Sequence, residues 1–550
     1  MDYSALFNPK VTPQDQAIPG RETEMVPNRA GGVVFSLDDW GVLSRFLILG
    51  TEGGSYYAGE RELTMDAAST VMRCIQADGQ RVVRTVYNTS TSGRAPKNSP
   101  ALFVLSLALR YGDNVTKAAA RAAIVHVART GTHLFELVQY LRTGGGFNRR
   151  LQAGLASWYQ QHEASPEDLA YQLVKYQQRH GWSHRDVLRL VKPRGHARTG
   201  AIHDLLEYAT HGYVWDVEDE PADHLMLPWA FELAKHSESP KETAALIQRY
   251  ALPRECVKTE HLSDPNVWSA LLYAGGTTGM PVTAMIRNLG KMTSVGLLTP
   301  LSGAMNHIVD TLINPTVLAK ARVHPLSILM ALRTYVAGHG DKGSLSWEPV
   351  SPIIDALDAA FYLSFGNVEP TRKNWMLALD LSASMTWSNV AGMSITPREA
   401  SAAMAMVTAR TEPSHVVTGF TGSQSTSTSA IKDLDVSPRQ RLDDVIRHIE
   451  SQHAGGTDCS LPMLMAAAKQ IPVDVFVIYT DNETWAGKIQ PAQALERYRQ
   501  KMGRDARCVV VGMTSTGFTI ADPKDKGMLD VVGFDTAAPA LIASFAKGEF

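Results

Sequence analysis

The chain has 550 residues, more than one hydrophobic core supports, so at least two domains are expected. With 44% apolar and 20% charged residues it has the make-up of an ordinary globular protein, which excludes a disordered or fibrous one. Its net charge of −2 is spread evenly, 35 basic against 36 acidic residues over 1–370 and 18 against 19 over 371–550, so only a local patch could hold a nucleic acid.

Residues 1–30 are polar, contain four prolines and lack an apolar leader; an irregular segment is expected there. The four cysteines, Cys74, Cys256, Cys459 and Cys508, are too scattered for a zinc knuckle or a disulfide framework. The longest uncharged stretch, 265–286, is broken by glycines and Pro281, so it reads as helix, loop and helix rather than a membrane span. A cytoplasmic, reduced and soluble protein is expected.

Residues 31–368 read as one helical-repeat domain: over 60–365 apolar residues recur at three- and four-residue spacing, in segments of about 10–16 residues separated by short polar or Gly/Pro breaks. Ser239-Pro240-Lys241-Glu242 is a capping box with proline at the first helical position, and Ser165-Pro166-Glu167-Asp168 is a close variant. Residues 101–109 are apolar on every side and predict a central helix. Many short helices with almost no strand signal favour stacked hairpins of the HEAT kind.

The most uneven charge lies at 171–200, where Lys175, Arg179, Arg185, Arg189, Lys192, Arg194 and Arg198 face one acid, Asp186. The four-residue spacings place Lys175 with Arg179, and Arg185 with Arg189, on common helix faces. His180, Trp182 and His184 interleave with them and add donors and a stacking surface, so the stretch is a candidate RNA-binding element. The basic loop with Arg94 and Lys97 and the glycine-rich turn flanked by Arg142, Arg149 and Arg150 extend that set. A solvated helix face is the plain alternative. No phosphate-binding Gly-x-x-x-x-Gly-Lys-Ser/Thr occurs.

From 369 to 550 the pattern turns to strand–helix alternation. Strands are predicted near 374–380, 415–420, 473–480 and 507–512 and helices near 396–410, 437–450, 459–470 and 491–502, the order of a doubly wound parallel sheet. Two of these strands end in Asp380-Leu381-Ser382-Ala383-Ser384 and Thr480-Asp481, and Gly455-Gly456-Thr457-Asp458 lies between them. Open α/β sheets gather ligands beyond the carboxyl ends of their strands. Asp380, Ser382, Ser384, Thr457 and Asp481 together offer only oxygen, which suits a hard octahedral cation such as Mg²⁺. This order of pieces resembles the metal-ion-dependent adhesion site of von Willebrand factor A domains, which bind ligands and are not known as catalysts. The chain shows no paired catalytic acids and no metal-hydrolase spacing, so no enzyme is expected.

Residues 45–57 (RFLILGTEGGSYY), 93–97 (GRAPK), 179–190 (RHGWSHRDVLRL) and 518–530 (FTIADPKDKGMLD) resemble the TROVE-domain proteins of the Ro autoantigen family. Residues 455–463 (GGTDCSLPM) and 479–484 (YTDNET) are similar to that family's A domain. The resemblance implies a ring of HEAT-like repeats closed by the A domain. It also implies binding of Y-like noncoding RNA and of misfolded or 3′-extended RNA, with duplex on the outer face and a single-stranded end in the central hole. Exoribonucleases are the implied partners; nothing points to DNA or a membrane. The other reading is a protein-binding adaptor whose A domain recruits an acidic ligand through Mg²⁺.

Overall fold

The computed structural model describes residues 11–549 except 53, 193–199, 214–219, 275–278, 341–343, 367–368, 423–429 and 453–454. Arg194, Arg198 and most of the Ser/Thr-rich loop after Thr421 therefore lie outside the described residues.

The three- and four-residue periodicity becomes a long helical array. Its first half comprises α1 (Asp39–Leu49), α2 (Glu60–Ser92), α3 (Ser99–Tyr111), α4 (Asn114–Val127), α5 (Gly131–Thr143), α6 (Arg149–Gln160), α7 (Pro166–Lys175), α8 (His184–Val191) and α9 (Ala201–His211). The second half runs through α10 (Met226–His236), α11 (Pro240–Tyr250), α12 (Pro265–Tyr273), α13 (Val282–Ser294), α14 (Gly303–Leu312), α15 (Pro315–Ala321), α16 (Pro325–Ala337) and α17 (Ser351–Leu363). Side-chain caps start many of them: Asp113, Thr130, Asn148 and Ser239 each accept from a backbone N–H three residues on. α2, α4, α6 and α8 pack side by side as one layer, with α3 and α5 behind them. Close approach of α2 to α4 requires Gly79, where a Cβ would stand 2.2 Å from the Thr116 hydroxyl oxygen.

One stretch departs from the predicted helix. Between α7 and α8 the chain forms a hairpin, β3 (Gln178–Arg179) and β4 (Trp182–Ser183), paired antiparallel. His180 and Gly181 both have positive φ, 54° and 76°, the backbone of a tight two-residue hairpin turn. Lys175 and Arg179 thus do not share a helix face, whereas Arg185 and Arg189 do, on α8.

The C-terminal domain is built on β5 (Asn374–Asp380), β6 (Ser414–Phe420), β7 (Ile431–Asp433), β8 (Val475–Thr480), β9 (Arg507–Gly512) and β11 (Met528–Val532). The order is β11-β9-β8-β5-β6-β7, parallel except for β7, which runs antiparallel at the edge. α18 (Ser384–Trp387), α19 (Pro397–Thr411), α20 (Leu442–Glu450), α21 (Leu461–Lys469), α22 (Pro491–Met502) and α23 (Ala538–Lys547) alternate with the strands. β5 and β8 are buried along almost their whole length, as central parallel strands must be.

The amino-terminal segment is not irregular throughout. β1 (Met25–Pro27) pairs with β2 (Val33–Ser36), which pairs with β10 (Phe518–Thr519) of the C-terminal domain. Gln14 is fully buried there, donating to Asp458 and Ile489 and accepting from Thr484 and Gly487. Both ends of the helical array meet this domain. Arg45 of α1 pairs with Asp530, Arg94 with Asp535, and Asp358 of α17 with Arg410. His324 Nε2 lies 3.2 Å from the Arg94 carbonyl and 3.0 Å from that of Phe534, so the loop after α2 and the start of α16 meet and the array closes. No described helix is long and apolar enough to cross a membrane.

Candidate metal centre and nucleic-acid interface

The strand order places the ends of β5 and β8 side by side, and with them the two aspartates. Asp380 is fully buried, accepting from the Ser382 N–H at 2.8 Å and the Thr480 hydroxyl at 2.7 Å. Asp481 accepts from the Glu483 N–H at 3.0 Å and from the Ser384 hydroxyl. The Ser382 and Ser384 hydroxyls are 3.1 Å apart. The middle loop joins them: the Ala383 N–H reaches the Gly455 carbonyl, and the Thr457 carbonyl accepts from Trp485 and Ala486. Asp380, Ser382, Ser384 and Asp481 therefore cluster at one crevice, with the Thr457 backbone held beside them.

Its electrostatics fit a cation. Burial first, and then the neighbouring Asp481, push the Asp380 carboxyl well above its usual range; burial does the same to Asp481. Glu483, at the edge, rises to about 8 through burial and the Asp481 charge, although the Arg29 and Ala30 N–H groups bond it. Two repelling carboxylates among hydroxyls, with no basic side chain among the described residues bonded to either, form a hard all-oxygen donor set. Tyr57, from the loop before α2, shares a hydrogen bond with Ser384, so the helical domain reaches the crevice too. Sequence reading missed Tyr57 and Glu483, because neither belongs to the three-piece pattern.

The predicted cations fall into three groups. Arg94 and Lys97 tie the domains together, Arg94 to Asp535 and Lys97 to Glu52 and the Gly392 carbonyl, so they are corrected from RNA-binding candidates to joint residues. The loop that carries them meets the C-terminal domain, which their charge pattern could not reveal. Arg142, Arg149, Arg150, Arg185 and Arg189 are exposed and have no carboxylate partner among the described residues. The glycine turn beside Arg142 is held by Arg110, which donates to the carbonyls of Leu141, Gly145 and Gly146.

Lys175 and Arg179 line a cavity of about 1400 Å³ together with Arg249, Arg254, Arg287 and Lys320, against Glu167, Asp223 and Glu255. Lys175 is held by the Tyr171 hydroxyl at 2.7 Å and lies over the Tyr171 and Tyr176 rings. Four of these cations come from 249–320, where no local cluster marks them.

His184 is a core residue, which corrects its reading as an RNA contact. It is 4% exposed, bonded through Nδ1 to the Tyr159 hydroxyl at 3.0 Å and stacked on Trp158. Burial lowers its pKa to about 3, so the ring is neutral. The sequence held this signal: His184, Val187, Leu188 and Val191 form the buried stripe of α8.

Residues 26–334 match the TROVE domain and 374–546 the Ro60 vWA domain. The RNA-binding protein RO60 of Deinococcus radiodurans is 39% identical over 546 residues, covering 99% of this chain and 98% of that protein. The RNA-binding protein RO60 of Caenorhabditis elegans is 34% identical, with 95% and 90% covered. The crystal structure of the Deinococcus radiodurans RO (RSR) protein superposes with a TM-score of 0.69, covering 93% of this chain and 100% of that one.

Proposed function

The chain belongs to the Ro60 family of TROVE-domain proteins, and from that premise we propose that it is the RNA-binding component of a small ribonucleoprotein. Y-like noncoding RNA and misfolded or 3′-extended RNA are its ligands, held for quality control or maturation with an exoribonuclease. The cationic cavity carries this reading. Six basic side chains converge on one hollow in a chain of net charge −2, and a single-stranded phosphate backbone fits there. A duplex is too wide for side chains to close around and belongs on the exposed arginines of α6 and α8. Filter binding of a hairpin RNA across a salt titration tests it: tight binding that weakens steeply with salt is expected, and weak, salt-insensitive binding would refute it.

The second part of the reading is a Mg²⁺ ion held by Asp380, Ser382, Ser384, Thr457 and Asp481. Bound there, it would relieve the repulsion of the two carboxylates and offer an open coordination position to a partner's carboxylate. Ser384 is oriented from both sides, by Asp481 and by Tyr57.

A further inference from the structure

Between α2 and α4 lies a groove of about 440 Å³ that neither the cavity nor the metal crevice uses. Ala119, Ala122 and Ala123 leave its floor open, since none extends beyond Cβ. Its wall is an aromatic pair, Tyr87 and His126, edge to face with ring centroids 5.4 Å apart. Tyr87 is 39% exposed, and the Arg84 side chain beside it is 65% exposed. The nearest carboxylate to Arg84, Asp78, stands 3.8 Å away, beyond a hydrogen bond.

A π face, a narrow open hollow and an exposed guanidinium are what an unpaired nucleotide needs: a ring to stack on, room for the base and a cation for its phosphate. The groove is also correctly placed. α2 and α4 begin the layer that continues through α6, with Arg149 and Arg150, to α8, with Arg185 and Arg189. An RNA lying along those arginines reaches the groove without leaving the layer. A protein anchor would want a more apolar lining than one containing Gln80, Arg84, Asn88 and His126.

We propose that the Tyr87–His126 groove takes a flipped-out nucleobase of an RNA bound along this layer, a proposal that rests on the reading of the chain as RNA-binding. The test uses the full chain and a closed dumbbell RNA, which has no free end to enter the cavity, with or without one bulged 2-aminopurine. Wild type should bind the bulged dumbbell ~5-fold or more tightly than the fully paired one, with quenching of the 2-aminopurine. Y87A with H126A should lose both the preference and the quenching yet bind the paired dumbbell as before, and Y87F should keep both. A double variant that retains the preference, or that loses both dumbbells equally, overturns the groove. Equal binding of the two dumbbells by wild type overturns it as well and leaves RNA binding standing, whereas binding of neither overturns both readings.

Discussion

Asp380 and Asp481 are buried acids that gain from a cation whatever the cation's later ligand. Mg²⁺ bound only by the folded domain stabilises it by mass action. Millimolar Mg²⁺ should therefore raise the melting temperature of wild type. Asp380→Ala or Asp481→Asn should abolish the shift, and Ser382→Ala or Thr457→Ala should shrink it. RNA affinity should survive all four, because the cavity and α8 lie in the other domain; a scan with and without EDTA beside an RNA titration checks both. His324 makes a pH prediction at the same scale. Its Nδ1 accepts from the Leu326 N–H at 3.1 Å, so Nε2 carries the proton and donates across the joint. Burial lowers its pKa from 6.5 to about 4. Between those values the unfolded chain binds more protons, so the contribution is complete above pH 6.5 and is lost as pH falls toward 4, on the order of 3 kcal/mol. His133 and His184, each lowered to about 3, deepen the same acid limb. His324→Asn keeps a capping acceptor without the titration, and its melting temperature should fall less steeply than wild type between pH 6.5 and 4.

At the scale of elements, α8 separates charge from packing. Its exposed face carries Arg185 and Arg189, its buried face His184, Val187, Leu188 and Val191. Replacing Arg185 and Arg189 by alanine should weaken hairpin RNA binding and flatten the salt slope by ~0.7–0.9 for each phosphate no longer neutralised. His184→Ala should leave the slope unchanged and destabilise the fold by on the order of 2 kcal/mol, through the cavity it opens and the Tyr159 partner it removes. Denaturant unfolding beside salt-dependent binding tells the two apart.

For the whole molecule the joint matters most, since it closes the array. Arg45 is 1% exposed and its charge is answered by Asp530. Asp530→Ala leaves that guanidinium buried without a counter-charge and should cost roughly 3–5 kcal/mol, read as a lower unfolding midpoint. If the closed array admits RNA ends, a hairpin with an unpaired 3′ tail should outcompete its blunt counterpart. Arg249→Ala with Arg287→Ala should reduce that preference more than the affinity for the blunt form.

Local chemistry alone determined much of this protein. The 3.6-residue period, Ser-Pro helix starts and the switch to alternating strands gave both domains, because these signals act between residues close in the chain. The meeting of Asp380 and Asp481 was legible for a related reason: each piece is short, and an α/β sheet always brings strand ends to one edge. What only the tertiary structure decided involves partners far apart. Arg94 and Lys97 look like free cations until Asp535 and Glu52 arrive from 441 and 45 residues away. β2, which pairs locally with β1, gained its second partner from β10, nearly five hundred residues on, and edge strand β7 pairs antiparallel with β6. Arg249, Arg254, Arg287 and Lys320 meet Lys175 and Arg179 only once the helices between them pack. Charge and hydrogen-bond partners are set by distance in space, and a sequence reports distance along the chain.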